Sequence, residues 1–184
     1  GWLHEKESPR LQWVYIPHLD YAGQKFGPDS DQAKAAVAEL DRELASWEEK
    51  LDSTKRHSRL KFLVVGEYAM TSVDRPVFLN RVLREEGWLA VRSEDSGEVI
   101  DYERSDCFAM VDHQFAHVYV RRESVPLIPK MCDRLRAVPG VETVLAGPDR
   151  AKLGVNHERS GDIVVVSDER SWFANYWWLD DAAA

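Results

Sequence analysis

YIPHLDYAGQKFGPDS, residues 15–30, is the stretch from which the fold is predicted. It overlaps the short apolar run LQWVYI (residues 11–16), which lies between prolines and is typical of a buried β-strand. The acidic residue Asp20 comes just after this strand, and the amide Gln24 follows four residues later. Ligands of open α/β sheets bind beyond the carboxyl ends of the strands. We therefore predict a functional site in this loop.

A long helix and a second strand are predicted after the loop. Ser30 and its acidic neighbours suit a helix N-cap, and apolar residues then recur at spacings of three and four to about residue 55. The run RLKFLVVGEY (residues 59–68) predicts a strand covered on both faces and ending at Glu67. Strand, helix and strand form a βαβ unit with parallel strands. Asp20 and Glu67 should therefore emerge at one edge of a sheet.

The rest of the chain predicts antiparallel strands among shorter helices. Residues 72–120 contain a helix that stops at Gly87, a hairpin around Asp95-Ser96-Gly97, and the strands CFAMVDH and HVYV. We interpret this block as an inserted or edge subregion of one domain. Further predicted elements are a helix at 126–138, the strand VETVL, a helical turn in GPDRAKLGV, the strand DIVVVSDE and a terminal aromatic run. Both ends of the sequence read as cut, so we expect residues 1–184 to be one partial domain.

Composition argues against several classes of partner. The net charge of -8 disfavours binding to nucleic-acid polymers and to acidic membranes, and no apolar run is long enough to span a bilayer. Cys107 and Cys132 lie far apart in apolar contexts, so we expect buried free thiols rather than a disulfide or a zinc site. A cytoplasmic rather than a secreted location is expected.

Acidic residues and a histidine form the candidate metal site. Two acids at one sheet edge repel each other unless a cation or a proton compensates, and His157 precedes the strand DIVVVSD in a polar loop. Oxygen ligands with an imidazole suit Zn, Mn or Mg. The alternatives are that Asp20 caps a turn or a helix, that Glu67 forms an ion pair, and that His157 is a turn residue. We predict that Asp20, Glu67 and His157 bind one or more divalent metal ions, with Zn or Mn preferred over Mg.

Two further histidines, His113 and His117, are four residues apart. On a helix this spacing would suit a metal, but no HExxH motif is present and the flanking residues favour strands. On a strand both side chains would face the same side. We interpret Asp112 and His113 as an ion pair and His117 as a buried polar residue, and leave open a role of both histidines at the site.

The loop LDYAGQKFGP resembles one motif of the type I phosphodiesterase / nucleotide pyrophosphatase family, a branch of the alkaline phosphatase superfamily. That motif reads Pro-Asp-x-x-Gly-His-x-x-Gly-Pro, and Asp20, Gly23, Gly27 and Pro28 are in step with it. Gln24 stands in place of its histidine. The resemblance implies an alkaline-phosphatase-like mixed, mostly parallel sheet flanked by helices, with a small antiparallel insertion.

Two later stretches are similar to further motifs of the family. VVGEYAM resembles a strand followed by Asp-His-Gly-Met, with Glu67 and Tyr68 in place of Asp-His, and His157 is similar to a histidine before a late strand. The resemblance implies two divalent metals: Asp20 and His157 would bind one, with Gln24 at its second histidine position, and Glu67 and Tyr68 would stand at the other. The family's Thr or Ser nucleophile and its remaining Asp ligand would lie upstream of this chain.

The resemblance implies a metal-dependent hydrolase of small phosphate esters or nucleotides. Without the upstream nucleophile, the 184 residues should be inactive by themselves. Gln24 and Tyr68 are candidates for contacting the metal or the substrate. His113 and His117 are second-choice candidates for the same role. Because Gln offers a neutral carbonyl and Tyr is a poor ligand at neutral pH, the alternative is a non-catalytic relative that binds a ligand or partner through the remnant site.

Overall fold

The computed structural model describes residues 11–53, 61–67, 69–95 and 97–183. Packing divides the chain into a first unit, Gly1–Ser72, and a second unit, Val73–Ala184. No helix in the described ranges has the length and apolar content needed to span a bilayer. The prediction of one partial domain over residues 1–184 stays a prediction.

Two helices form the described part of the first unit, α1 (His18–Phe26) and α2 (Asp31–Ser53). The predicted N-cap of α2 is confirmed, because the Ser30 hydroxyl accepts a hydrogen bond from the Ala33 N–H at 3.1 Å. Of the predicted apolar stripe of α2, Leu51 is buried, whereas Val37 is 55% exposed. The helix predicted to reach about residue 55 is therefore present.

The two strands predicted in the first unit are wrong for the residues that the structure describes. Neither 11–16 nor 61–67 forms a strand, and Trp13 and Leu63 are 82% and 86% exposed. Residues 59, 60 and 68 of the second predicted strand lie outside the described ranges. A strand with two apolar faces needs neighbouring strands and cover on both sides. The described part of this unit supplies only helices, so the βαβ unit does not form there.

Eight short strands build the part of the second unit that the structure describes. Its larger sheet is antiparallel in the order β4-β5-β7-β6, β2 and β3 form the predicted hairpin, and β1 pairs with β8 in parallel. The strands are β1 Arg75–Val77, β2 Val91–Glu94, β3 Gly97–Ile100, β4 Cys107–Asp112, β5 Phe115–Val120, β6 Val141–Ala146, β7 Ile163–Ser167 and β8 Ser171–Phe173. The mixed α/β class is confirmed, although the strands of the described ranges are mostly antiparallel.

The remaining elements also lie where their local patterns predict them. The helices are α3 (Leu79–Glu85) and α4 (Ile128–Arg136), and 3₁₀ turns occupy Arg122–Leu127, Gly147–Leu153 and Asp181–Ala183. Gly87 follows α3 with a φ of 76°, as expected of a helix stop. Within the region 72–120, β5 hydrogen bonds with β7 from much later in the chain. The strands β4 and β5 of this block therefore belong to the second unit's main sheet, and the interpretation of the block as an inserted or edge subregion stays a prediction.

The core of the second unit lies between its helices and one face of the main sheet. Leu83 of α3 and Leu135 of α4 are fully buried. Along β5, Ala116 and Val118 are also fully buried, while Phe115, His117 and Tyr119 are partly exposed. This alternation is that of a strand with one face on a core. The cysteines are free and buried, as predicted.

Candidate functional site

Asp20 lies in the first turn of helix α1 and not in a loop. The loop prediction was wrong because glycines and a proline dominate the stretch, yet the helix continues to Phe26. The residue is half-buried in the first turn of the helix. Gln24 is exposed one turn further along. Residues four apart lie on the same face of a helix, so Asp20 and Gln24 are side by side.

Met70 brings the second motif against the first. Gly23 is buried, and a Cβ at this position would lie 2.5 Å from the sulfur of Met70. A Cβ at Gly27, one turn later, would lie 3.9 Å from the hydroxyl oxygen of Ser72. The chain at 70–72 therefore runs along the carboxyl-terminal half of α1. This contact joins the residues that follow Asp20 to those that follow Glu67.

Glu67 is exposed and lies at a bend rather than at the end of a strand. Tyr68, the neighbouring candidate, lies outside the described residues. Because Asp20 and Glu67 belong to the first unit and His157 to the second, their predicted convergence on one centre stays a prediction. Within the described ranges, no group of three or more His, Cys, Asp and Glu side chains is placed to hold a metal ion.

His157 is exposed in the polar loop before β7. Its Nδ1 accepts a hydrogen bond from the Arg159 N–H at 3.1 Å. A neutral imidazole that accepts a hydrogen bond at Nδ1 carries its proton on Nε2. A metal-binding histidine instead donates its second ring N–H to an acceptor, so His157 would have to release the Arg159 N–H before it could bind a metal.

His117 holds the same loop from the side of the sheet. It is half-buried on β5, and its Nδ1 accepts a hydrogen bond from the Gly161 N–H at 3.1 Å. Burial lowers the pKa of His117, and the nearby Arg150 guanidinium lowers it further. Arg150 itself donates a hydrogen bond to the Gly161 carbonyl at 2.6 Å. In this structure the contacts of His117 fasten the loop that carries His157.

His113 lies in the turn between β4 and β5, with a φ of 54°. It therefore does not share a strand face with His117. Its Nε2 lies 3.6 Å from the Asp112 carboxylate, as the predicted pairing of these two residues requires, and both side chains are exposed. The His113 carbonyl accepts a hydrogen bond from the Phe173 N–H at 2.7 Å. This bond ties the turn to β8.

Asn80 is a fully buried polar residue that was not among the residues predicted from the sequence. Its side chain donates to the Ala109 carbonyl and accepts from the Ala109 N–H, both at 2.8 Å, and it also donates to the Asn175 side chain at 3.1 Å. The signal was present in the sequence, because Asn80 interrupts an apolar helical pattern. A buried amide in such a position needs several partners.

Known proteins match this chain in sequence and in fold. An uncharacterised pyrophosphatase/phosphodiesterase of Schizosaccharomyces pombe is 32% identical over 82 residues, which are 44% of this chain and 17% of that protein. Murine ectonucleotide pyrophosphatase / phosphodiesterase 5 is 21% identical with a TM-score of 0.71, and the match covers 97% of this chain and 43% of that one. The same murine protein is also known as an inactive variant in complex with AMP.

A second solved relative supports the fold, and the family match covers almost the whole sequence. Phosphonoacetate hydrolase of Sinorhizobium meliloti is 18% identical with a TM-score of 0.51, over 85% of this chain and 37% of that one. The likenesses to solved structures confirm the predicted fold class. Residues 1–183 match the type I phosphodiesterase / nucleotide pyrophosphatase family. The chain belongs to this family.

Proposed function

We propose that the protein to which this chain belongs hydrolyses phosphate esters of small molecules, with nucleotides as the first class to test. The family match over residues 1–183 carries the proposal. AMP in the complex of the murine relative supports a nucleotide as ligand. The net charge of -8 is unfavourable for a polymeric nucleic-acid substrate, and so the expected substrates are small.

Metal dependence is the second part of the proposal. Asp20, Glu67 and His157 would hold a divalent ion, and carboxylates with an imidazole suit Zn or Mn better than Mg. A bound metal would polarise the phosphate and stabilise the attacking and leaving oxygens. Two features of the first unit support a site around Asp20: Gln24 lies on the same face of α1, and Met70 of the second motif packs against Gly23.

The aligned residues cover a minority of each relative's length: 43% of the murine chain, and 17% of the Schizosaccharomyces pombe protein for the 82-residue match. Activity is therefore proposed for the whole protein. By resemblance, its Thr or Ser nucleophile lies upstream of residue 1. We expect the 184-residue chain to show no turnover by itself.

The first experiment measures hydrolysis by the full-length protein. Bis-p-nitrophenyl phosphate and ATP serve as substrates before and after EDTA treatment, with Zn, Mn or Mg added back. Loss of activity with EDTA and its return with Zn or Mn is the expected result. Activity that survives complete metal removal would contradict metal dependence. Absence of both metal and turnover, with AMP still bound in calorimetry, would favour the non-catalytic alternative.

A second experiment tests the three ligands singly. Asp20→Asn, Glu67→Gln and His157→Gln should each lower kcat/KM by about 100-fold or more and reduce bound metal, because each removes a donor from the metal. Asp29→Asn and Glu158→Gln are the matched controls, since both side chains are exposed near a tested residue. A variant whose metal content and activity equal those of its control would remove that residue from the site.

A further inference from the structure

The loop before β7, residues 154–162, follows a turn that packs on the main sheet. Ile163 and Val165 of β7 belong to the core, so Val164 between them points to the opposite, outer face of the sheet. Val164 is nevertheless fully buried. The 3₁₀ turn Gly147–Leu153 contacts both β6 and β7. This turn, together with the loop that follows it, therefore gives the outer face part of its cover.

His117 lies on the same outer face. It is opposite Val164 in the pairing of β5 with β7 and opposite Met110 in the pairing of β4 with β5. Residues that are opposite each other in antiparallel strands share a face. The rings of Phe115 and Tyr119 flank the imidazole, with centroids 5.0 and 6.1 Å from its own. The imidazole therefore has a defined position on this face.

Hydrogen bonds from β5 and from the preceding turn hold the loop in place. They run from the Gly161 N–H to His117 Nδ1 (3.1 Å), from the Tyr119 hydroxyl to the Arg159 carbonyl (3.0 Å), from the Val120 N–H to the Asp162 carboxylate (2.8 Å) and from the Arg150 guanidinium to the Gly161 carbonyl (2.6 Å). Among these bonds, the one to His117 has an acceptor that gains a proton close to neutral pH.

Protonation of His117 would turn its bond with Gly161 into a contact between two donors. An imidazolium carries a proton on both ring nitrogens, so Nδ1 could no longer accept the Gly161 N–H. The backbone of Gly161 lies directly against that of Val118, which leaves the two donors little room to move apart. The closed position of the loop therefore requires a neutral His117.

The charges around His117 oppose its protonation. The turn contributes the Arg150 guanidinium, which lowers the pKa of His117 in addition to the larger effect of burial. On β4 and β7, the residues opposite His117 are uncharged. On β5 and in the loop, the Tyr119 hydroxyl and the Asp162 carboxylate are engaged in hydrogen bonds. The loop's other ionisable side chains, His157, Glu158 and Arg159, are exposed.

We propose that protonation of His117 releases the loop before β7, so that the loop opens in mildly acidic solution while the main sheet stays folded. The ladders of β5 with β4 and β7 do not involve the imidazole, and so they should persist. Opening would uncover the outer face around Val164 and free the segment that carries His157. The proposal concerns the attachment of the loop and does not depend on the metal site.

Hydrogen exchange of the full-length protein, followed by mass spectrometry without substrate or metal, tests the proposal. Between about pH 7.5 and about pH 5, protection of the amides of 155–162 should fall about 5-fold or more after correction for the intrinsic rates. The amides of 115–120 in β5 should keep their protection. Equal protection of the loop at both pH values would overturn the proposal. Equal loss in the loop and in β5 would also overturn it, because loop and sheet would then open together.

A pair of substitutions assigns the pH response to one histidine. His117→Asn places an amide oxygen near the position of Nδ1, where it can accept the Gly161 N–H without titrating. The loop of this variant should show no difference in protection between the two pH values. His113→Asn is the matched control, at an exposed histidine in the turn between β4 and β5, and should keep the native response. A native response in His117→Asn, or its loss in His113→Asn, would overturn the proposal.

Discussion

Asn80 takes the place of a neighbouring strand for the edge strand β4. Its amide pairs with both backbone groups of Ala109, as an adjacent strand would. A third hydrogen bond to Asn175 joins this point to the segment after β8. Because the side chain is fully buried, water cannot replace these bonds. One side chain thereby fixes α3 to the sheet.

We therefore expect Asn80→Ala to destabilise the protein by about 3 kcal/mol, since it leaves buried N–H and C=O groups of Ala109 without their partner. Urea unfolding followed by circular dichroism measures the change. Asn156→Ala is the control, because Asn156 is exposed in a loop and its loss should cost little. A cost below about 1 kcal/mol for Asn80→Ala would show that the pairing matters less than its geometry indicates.

Cys107 is a second residue for which burial decides the chemistry. Burial raises the pKa of its thiol to about 12, with a smaller contribution from Asp106, and burial also raises the pKa of Cys132. The thiolate is the reactive form. At pH 8 we expect neither thiol to react with Ellman's reagent in the native protein and both to react in denaturant. Rapid reaction of the native protein would contradict the burial of these cysteines.

At the scale of elements, the loop before β7 is held very close to β5. A Cβ at Gly161 would lie 2.8 Å from both the N and the O of Val118, so the two backbones leave no room for a side chain. The hydrogen bonds of His117 and Arg150 to Gly161 hold this approach. The side chains of His117 and Arg150 thus hold the loop by hydrogen bonds, and the glycine at 161 lets the two backbones approach.

Gly161→Ala should cost about 3 kcal/mol or more, because backbone atoms must move apart to admit the methyl group. Thermal unfolding measures the loss. Gly154→Ala is the control in the same loop, since its φ of 69° is unfavourable but no atom lies within 4 Å of the new Cβ. That control should cost about 1 kcal/mol. If both variants lose the same stability, the close approach is not the limiting contact.

His117 gives the second unit a pH dependence whose direction follows from its pKa. Since the pKa is lowered on folding, the unfolded chain binds a proton more readily, and acid favours unfolding. The stabilisation is complete above pH 6.5 and is lost as the pH falls from that value through the folded pKa. Tm should therefore fall between about pH 7 and 5.5 more steeply in the native sequence than in His117→Gln. Parallel curves would exclude this contribution.

The elements of the second unit could be predicted because their signals are local. Ser96-Gly97 predicts the turn between β2 and β3, which are neighbours in sequence. The spacing of apolar residues predicts the helices α3 and α4. The turn conformation of His113 could not be predicted, since nothing in the amino-acid sequence indicates a φ of 54° at this residue. Asp20 was predicted to lie in a loop because Gly23 and Gly27 are typical of turns, although the segment forms helix α1. Gly23 instead makes room for the sulfur of Met70, a contact between distant residues that no local pattern encodes.

At the scale of the whole molecule, local patterns predicted the elements of the second unit and helix α2 of the first, but not α1, and the two strands predicted in the first unit are absent from its described part. Residues 11–16 and 61–66 carry the apolar pattern of inner strands, yet a strand forms only against neighbouring strands. The sequence therefore predicted which residues the candidate site contains, but not their positions in space, because those positions depend on contacts between distant parts of the chain. Asp20 and Gln24 are placed relative to each other, whereas their relation to His157 depends on both units.

The second unit should fold by itself, because its helices and main sheet share one buried core. Expressed alone, residues 73–184 should unfold in one cooperative thermal transition with its near-ultraviolet circular dichroism lost together with its secondary structure. Leu83→Ala should lower that transition, since Leu83 is fully buried. The exposed Leu179→Ala, at 54%, is the control. A broad transition without tertiary signal would mean that the unit needs the rest of the chain.

The short helix α1 has one more consequence. It contains nine residues, and Pro17 at its N-cap makes no side-chain capping hydrogen bond. Helices of this length are marginal in water without outside support. If Asp20 binds a metal, part of the binding free energy is used in ordering α1, so that affinity and local folding are one equilibrium. Loss of that metal would then favour unfolding of α1, while the second unit, which has its own buried core, would stay folded.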